Sequence, residues 1–123
     1  MQFRFGPEDL HQLRILVVED DPLLALDIAE VLRLRGAEVI GPAATLDDAL
    51  QALESRWIDR AVLDMNLDGE MSYAIADRLD AAGIPYVIAS AYGRDALPER
   101  FQGKPRLGKP FRPEMLVGMM VEA

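Results

Sequence analysis

The feature that most constrains this chain is an apolar run that ends on a carboxylate, Ala61-Val62-Leu63-Asp64. Such a run is typical of a strand that is buried on both faces, as in a parallel sheet covered by helices on both sides. The turn-forming residues Asn66 and Gly69 follow it, so Asp64 is expected at the carboxyl end of a strand. In open α/β sheets, ligands and catalytic groups gather at that edge.

Strand-like and helix-like segments alternate around this run. The predicted strands are 13–18, 38–40, 59–64, 84–89 and 106–108, and the predicted helices are 22–35, 45–55, 73–82 and 113–121. Asp21, Thr45 and Ser72 are the predicted N-caps, and Gly41-Pro42 is a predicted turn. Segment 94–101 is a weak helix interrupted by Pro98. The alternation predicts an α/β domain with a doubly wound parallel sheet and helices on both faces.

Composition excludes several classes of function. The chain has 123 residues, a formal net charge of −8 and no cysteine, which suits one domain without disulfides. Because nucleic-acid binding depends on clustered Lys and Arg, we expect no direct nucleic-acid contact. No signal peptide is seen and no apolar run approaches the roughly 20 residues that cross a bilayer, so we expect a cytoplasmic protein that does not contact membranes. Residues 1–12 are predicted to be an N-terminal arm and residues 13–123 one domain, with no output domain.

Chemically active side chains fall at the predicted carboxyl ends of the strands: Glu19, Asp20, Asp64, Ser90 and Lys109. Three crowded carboxylates repel one another unless a cation neutralises them, and an all-oxygen site suits Mg²⁺. With Mg²⁺ bound, Asp64 can act as a carboxylate nucleophile toward a phosphoryl group. Lys109 and the metal would neutralise the transferring oxygens, and Ser90 would donate a hydrogen bond to one of them.

This set of motifs resembles the receiver domain of two-component response regulators. The matching segments, in family order, are Val17-Val18-Glu19-Asp20, Val62-Leu63-Asp64-Met65-Asn66, Val87-Ile88-Ala89-Ser90-Ala91 and Lys109-Pro110-Phe111. The resemblance covers the chain from Leu13 onward. It implies a flavodoxin-like sheet of five strands in the order 2-1-3-4-5, and it makes the bond between Lys109 and Pro110 a candidate for the cis form.

The resemblance implies a signalling phosphoacceptor rather than an enzyme with its own substrate. Asp64 would take a phosphoryl group from the phosphohistidine of a sensor histidine kinase or histidine phosphotransfer protein, with self-catalysed transfer and slow autodephosphorylation. Ser90 and Lys109 would bind that group. The implied Mg²⁺ ligands are Glu19, Asp20, Asp64 and the backbone carbonyl of Asn66. A conformational change would then control binding of a downstream protein, and a homodimer is compatible with this role.

Two features depart from the family pattern. Arg106 lies three residues before Lys109, where the family usually has a switch Tyr or Phe, and the segment after Ser90 lacks a clean amphipathic fourth helix. The segment Ile88-Ala89-Ser90-Ala91-Tyr92 resembles that of a single-domain subgroup with Phe-Ala-Thr-Gly-Tyr. Because burying an unpaired guanidinium costs several kcal/mol or more, Tyr92 rather than Arg106 is the predicted switch residue.

Other classes of site share parts of this pattern. An EF-hand loop starting at Asp64 would need a bidentate Glu at its twelfth position, which is Ile75, so calcium binding of that kind is excluded. A phosphohydrolase of the haloacid-dehalogenase type is an alternative, although its general acid would fall on Asn66, which cannot transfer a proton. A pseudo-receiver that binds partners without phosphorylation is the other alternative. It would lack one of the acids, the acceptor or the lysine, and all are present.

Overall fold

Parallel strands form the centre of the molecule. The computed structural model describes residues 9–123. Its strands, in chain order, are β1 (Arg14–Val18), β2 (Glu38–Ala43), β3 (Arg60–Asp64), β4 (Asn66–Leu67), β5 (Glu70–Met71), β6 (Tyr86–Ser90) and β7 (Arg106–Gly108). One sheet has the order β2-β1-β3-β6-β7 with parallel neighbours, and β4 and β5 form a separate antiparallel pair. Numbered within the large sheet alone, this is the predicted order, 2-1-3-4-5, and the prediction is confirmed.

Helices cover both faces of the sheet, as predicted. They are α1 (Pro22–Leu34), α2 (Leu46–Ser55), α3 (Tyr73–Ala82) and α4 (Glu114–Glu122). Side chains alternate along β1, so Ile15 and Val17 pack with α1 and α4, while Leu16 and Val18 pack with α2 and α3. The sheet is therefore held between two layers of helices by one apolar cluster on each face. No helix within residues 9–123 has the length and apolar character to cross a membrane.

Two of the predicted N-caps position helices at the carboxyl edge of the sheet. The Asp21 carboxylate accepts hydrogen bonds from the backbone N–H groups of Leu23 at 3.0 Å and Leu24 at 3.4 Å. Pro22 occupies the first helical position, where its missing N–H costs nothing. The Thr45 hydroxyl likewise accepts from the Asp48 N–H at 3.1 Å. Because Asp21 caps α1 so close to β1, Glu19 and Asp20 are held directly above the sheet.

The segment after β6 differs from the prediction of one weak helix over 94–101. It contains two separate 3₁₀ turns, Arg94–Ala96 and Glu99–Phe101. Pro98 disfavours helical backbone at Leu97, which is extended with φ −89° and ψ 148°. Leu97 and Phe101 are nevertheless buried in the core, and the Phe101 ring stacks on Tyr73 with centroids 5.8 Å apart. These turns therefore cover the core beside α3, and no α-helix forms between β6 and β7.

Gly41-Pro42 lies within β2, so the predicted turn there is wrong. The strand extends to Ala43 with an irregular register against β1, and the Gly41–Pro42 bond is cis. A side chain at Gly41, whose φ is +96°, would place a Cβ only 2.6 Å from the Ala43 nitrogen. Proline is tolerated because β2 is an edge strand. The fourth strand of the large sheet also differs, since it begins at Tyr86 and includes Ser90.

Only the end of the predicted N-terminal arm lies within the described residues. Residues 9–12 form a turn, and Leu10 is fully buried in the cluster between α1 and α4. The Leu10 N–H donates to the Arg35 carbonyl at 3.0 Å. Leu10 therefore anchors the end of that segment on the domain, while residues 1–8 lie outside the described residues.

Asp59 joins the starts of β1 and β3. Its Oδ2 accepts a hydrogen bond from the Arg14 N–H at 2.8 Å, and its Oδ1 accepts one from the Trp57 indole at 3.0 Å. The Asp59 N–H donates to the Arg14 carbonyl at 2.8 Å. The Arg14 N–H is the main reason that the pKa of Asp59 lies below its ordinary value.

We expect Asp59→Asn to lower the free energy of unfolding by about 1 kcal/mol at neutral pH, because one charge-assisted hydrogen bond is lost. The folded-state pKa is depressed, so this contribution is present above the unfolded pKa of about 4 and disappears as the pH falls through the folded value. Urea unfolding at several pH values measures it. Asp27→Asn, an exposed change on α1, is the control. A loss of stability that persists at pH values well below 4 would contradict this role.

Candidate functional site

The five residues predicted to act together all lie at the carboxyl edge of the sheet. Glu19 and Asp20 follow β1, Asp64 ends β3, Ser90 ends β6 and Lys109 follows β7. They converge because β1, β3, β6 and β7 are successive parallel neighbours. Glu19, Asp64 and Ser90 are buried, and Asp20 and Lys109 are half-buried.

Lys109 is the central cation of this site. Its Nζ donates to Asp64 Oδ2 at 2.8 Å and to Glu19 Oε2 at 3.0 Å. Burial alone would lower the pKa of Lys109, yet the hydrogen bonds to Asp64 and Glu19 outweigh it, so the pKa lies above its ordinary value. The ammonium is therefore charged at any physiological pH. It compensates two carboxylates that would otherwise be buried without a partner.

Glu19 is the most deeply buried carboxylate of the site, with 1% of its surface exposed. Burial raises its pKa to about 7, against the opposing hydrogen bonds from Lys109 and from the Asp21 N–H. Its Oε1 lies 2.8 Å from the Lys109 Nζ but has no well-aligned hydrogen bond among residues 9–123. One lysine thus leaves this carboxylate incompletely compensated.

An excess of negative charge remains around Glu19. Carboxylate oxygens of Glu19, Asp20 and Asp64 all lie within 4.8 Å of one another. Hard oxygen ligands at this spacing, one of them half-buried and facing the pocket, fit a Mg²⁺ ion that retains several waters. The donor set and the unsatisfied Glu19 oxygen therefore fit the metal that the sequence predicts.

Asp64 is held by its neighbours on two sides. Its Oδ1 accepts from the Asn66 N–H at 3.0 Å, and its backbone carbonyl accepts from the Ser72 hydroxyl at 2.6 Å. Ser72 is the N-cap residue of α3, as predicted, but its side chain makes no capping hydrogen bond because the hydroxyl donates to this buried carbonyl instead. Ser72 is a supporting residue that helix-cap patterns alone did not reveal.

The β4–β5 hairpin forms one wall of the site and was not predicted. Its turn contains Asp68 at φ +53° and Gly69 at φ +92°, and the Asn66 side chain accepts from the Gly69 N–H at 2.7 Å. The Asp-Gly pair was the available signal, since it is typical of tight hairpins. The open pocket that results, about 300 Å³, is lined by Asp20, Asp64, Asn66, Asp68, Gly69, Ala91, Tyr92 and Lys109.

Ser90 connects the pocket to the segment that follows β6. Its Oγ accepts a hydrogen bond from the Tyr92 N–H at 3.0 Å, and its carbonyl accepts from the Lys109 N–H at 2.8 Å. Tyr92 is 54% exposed and lies at the rim of the pocket. The bond between Lys109 and Pro110 is cis, which confirms that prediction.

Comparison with known proteins decides the family. The family model of the response regulator receiver domain matches residues 15–120. The chain belongs to this family. The receiver domain predicted from the four sequence motifs is therefore confirmed.

Among individual proteins, this receiver domain is similar to the phyllosphere-induced regulator PhyR of Methylorubrum extorquens, with 32% identity over 118 residues, 89% of this chain and 42% of PhyR. It is 30% identical to the transcriptional regulatory protein PdtaR of Mycobacterium tuberculosis over 88 residues, 71% of this chain and 43% of PdtaR. The chain thus spans less than half the length of these curated relatives. The solution structure of SdrG from Sphingomonas melonis Fr1 has a TM-score of 0.76 and 35% identity, covering 89% of this chain and 95% of SdrG.

Arg106, the departure from the family pattern, is paired in this receiver domain. The residue is half-buried, and its guanidinium donates to the backbone carbonyls of Tyr92 and Ser90. The prediction dismissed Arg106 because a buried guanidinium without a partner is costly, but here backbone carbonyls supply partners. Arg106 and Tyr92, which the sequence analysis treated as alternative switch residues, are therefore in direct contact.

Replacing Asp20 tests the repulsion among the three carboxylates without breaking a hydrogen bond. No hydrogen bond to its side chain is found within residues 9–123, so Asp20→Asn should relieve repulsion without leaving a partner unpaired. We expect the metal-free protein to gain about 1 kcal/mol of stability. Thermal melts with a chelator measure this, with Asp27→Asn as the control for loss of one charge. A marked loss of stability would instead make Asp20 a structural residue.

Proposed function

We propose that this receiver domain is a phosphoacceptor of a two-component phosphorelay. Asp64 takes a phosphoryl group from a phosphohistidine in a Mg²⁺-dependent reaction, and the phosphorylated form changes how the domain binds a downstream protein. The observation that carries this proposal is the contact between the Lys109 ammonium and the buried Asp64 carboxylate, 2.8 Å apart. A strand-end carboxylate beside a fixed cation and two further acids is suited to accepting a phosphoryl group.

Each residue has a distinct task in the proposed transfer. A carboxylate oxygen of Asp64 forms a bond to phosphorus as the bond from phosphorus to the histidine nitrogen breaks. Lys109 holds the carboxylate in place and neutralises charge on the phosphoryl oxygens. The Ser90 hydroxyl donates a hydrogen bond to one of those oxygens while still accepting one from the Tyr92 N–H. Glu19, Asp20 and Asp64, with the Asn66 carbonyl, would hold Mg²⁺, which when bound supplies further positive charge to the transferring oxygens.

The two alternative functions gain no support from the site. A phosphohydrolase of the haloacid-dehalogenase type needs a general acid two residues after the nucleophile, and Asn66 there uses its side-chain oxygen to hold the hairpin turn. A pseudo-receiver would lack part of the site, yet the acids, the acceptor and the lysine all converge. Both observations favour the phosphoacceptor.

The start of α1 is the surface that we propose for the phosphodonor. Leu23 and Leu26 are 75% and 61% exposed there, one helical turn from the capped end beside Glu19 and Asp20. Leu26 also lines an apolar cleft with Pro22, Ala25, Pro42 and Ala44 that borders those acids. A sensor histidine kinase or histidine phosphotransfer protein that packs on these side chains would bring its phosphohistidine over the Asp64 pocket.

We propose Tyr92 as the residue that reports phosphorylation to the downstream protein. Its ring is exposed at the rim of the pocket, and its N–H is bound to the hydroxyl that would contact the phosphoryl group. A shift of Ser90 toward Asp64 is therefore transmitted directly to the backbone of Tyr92. The segment 91–102, which has no α-helix, is the part of the domain able to respond.

The acceptor assignment is tested by Asp64→Asn, which keeps the shape of the side chain and removes the nucleophile. With radiolabelled acetyl phosphate and Mg²⁺, we expect incorporation to fall about a hundredfold or more. Asp68→Asn is the matched control, since Asp68 lines the same pocket and its positive φ suits Asn. Label taken up by Asp64→Asn at the wild-type rate would show that another residue is the acceptor.

The donor surface is tested separately from the chemistry. We expect Leu26→Glu to slow transfer from a phosphorylated histidine kinase about tenfold, because a charge replaces an apolar contact, while phosphorylation by acetyl phosphate stays unchanged. Leu34→Glu is the matched control on the last turn of the same helix, where Leu34 is 69% exposed. Equal transfer rates for the two variants would place the donor on another surface.

A further inference from the structure

Arg106 forms a bridge between the edge strand and the segment that leaves β6. Its Nη2 donates to the Tyr92 carbonyl, and it lies 3.5 Å from the Ser90 carbonyl. Along the sheet, Arg106 is paired with Ile88 and Gly108 with Ser90, so the side chain runs past the end of the pairing toward the pocket. The guanidinium thus continues the contact between β7 and the β6 chain where backbone pairing stops. We call this contact the Arg106 bridge.

The chain makes room for this bridge at Gly108. A Cβ added to Gly108 would lie 3.3 Å from Arg106 Nη1 and 3.5 Å from Nη2, so the guanidinium would have to shift by a few tenths of an ångström to accept one. The position therefore accommodates Arg106 because it carries no side chain.

The bridge is only partly satisfied. The buried Nε of Arg106 has no hydrogen-bond partner among residues 9–123, and a buried donor without a partner costs free energy. The contact therefore has a modest net strength, which suits an interaction that opens and closes.

The bridge and the phosphorylation site act on the same short piece of backbone. The Tyr92 N–H is bound to the Ser90 hydroxyl, and the Tyr92 carbonyl is bound to Arg106. If the hydroxyl moves toward a phosphoryl group on Asp64, the Tyr92 peptide must follow or lose its bond to Ser90. Following means moving away from the guanidinium.

We propose that Arg106 is a positioning residue that holds the Ser90–Tyr92 segment in its resting arrangement and opposes its movement on phosphorylation. This proposal rests on the proposed function for its second half, since it assumes that Ser90 is drawn toward Asp64. Its first half, the restraint on Tyr92, concerns the resting domain alone. In this proposal, Arg106 restrains the Ser90–Tyr92 segment from the place, three residues before Lys109, where the family usually has a switch Tyr or Phe.

The restraint is measured first in the domain without ligand. Arg106→Met keeps an aliphatic side chain but removes the donors, and we expect it to accelerate hydrogen exchange of the Tyr92 amide about three- to tenfold by NMR. Arg94→Met is the matched control. The Arg94 guanidinium also donates to two backbone carbonyls, of Gln102 and Lys104 at 2.8 and 2.7 Å, but it does not touch the Ser90–Tyr92 segment.

The opposition to switching is measured with beryllofluoride, which mimics the acyl phosphate in the presence of Mg²⁺. Arg106→Met should bind beryllofluoride about three- to tenfold more tightly than wild type, the factor expected for one lost hydrogen bond. Gly108→Ala should act in the same direction with a smaller effect, and should add nothing in the Arg106→Met background. Arg94→Met should bind like wild type.

The outcomes separate this proposal from the phosphoacceptor proposal. Unchanged Tyr92 exchange in Arg106→Met, or an equal change in Arg94→Met, overturns the bridge whether or not the domain binds beryllofluoride. Unchanged or weaker beryllofluoride binding by Arg106→Met overturns the opposition to switching. Failure of the wild type to bind beryllofluoride contradicts the proposed function, and the exchange experiment then still decides the restraint.

Discussion

The site depends on one buried interaction, the Lys109 ammonium held between Asp64 and Glu19 at 2.8 and 3.0 Å. Burying two carboxylates without a cation would cost several kcal/mol for each charge. Glu19 and Asp64 lie close together because β1 and β3 are neighbouring strands. Lys109 reaches them because its own N–H is bound to the Ser90 carbonyl at the end of β6. The chemistry of the pocket therefore depends on the order of the strands. If β7 did not lie beside β6, Lys109 would not reach Asp64 and Glu19.

The single positive charge of Lys109 does not balance the three carboxylates, so the site favours binding of a further cation. The raised pKa of Glu19, about 7, shows how strongly burial disfavours its charge. A hard divalent cation and the charge of an incoming phosphoryl group each change this balance, and the effect falls on the groups that Lys109 and Ser90 contact. Through the Ser90 hydroxyl the change reaches Tyr92, which lies in a segment without an α-helix, and through the Tyr92 carbonyl it reaches Arg106 on β7.

Much of the fold and site follows from local sequence signals. Asp21-Pro22 marks the start of α1 because a side-chain acceptor and a fixed φ act within three residues. The strand ends near Asp64 and Ser90 were predictable to within one residue because buried apolar runs stop there. Ser72 and Arg106 were misjudged because their partners lie 8 and 14 to 16 residues away, and no local pattern specifies such contacts. The β2 boundary was missed because Gly41-Pro42 forms turns in most settings and is accommodated here by an edge strand.

We propose that Asp64 is a phosphoacceptor and that its phosphorylation changes the surroundings of Ser90, Lys109 and Tyr92. The most direct measurement is an NMR titration of the domain with beryllofluoride in the presence of Mg²⁺. We expect saturable shifts centred on the amides of Asp64, Ser90, Tyr92 and Lys109 that require Mg²⁺ and vanish in Asp64→Asn. A wild-type spectrum that does not change, or shifts that persist in Asp64→Asn, would contradict it.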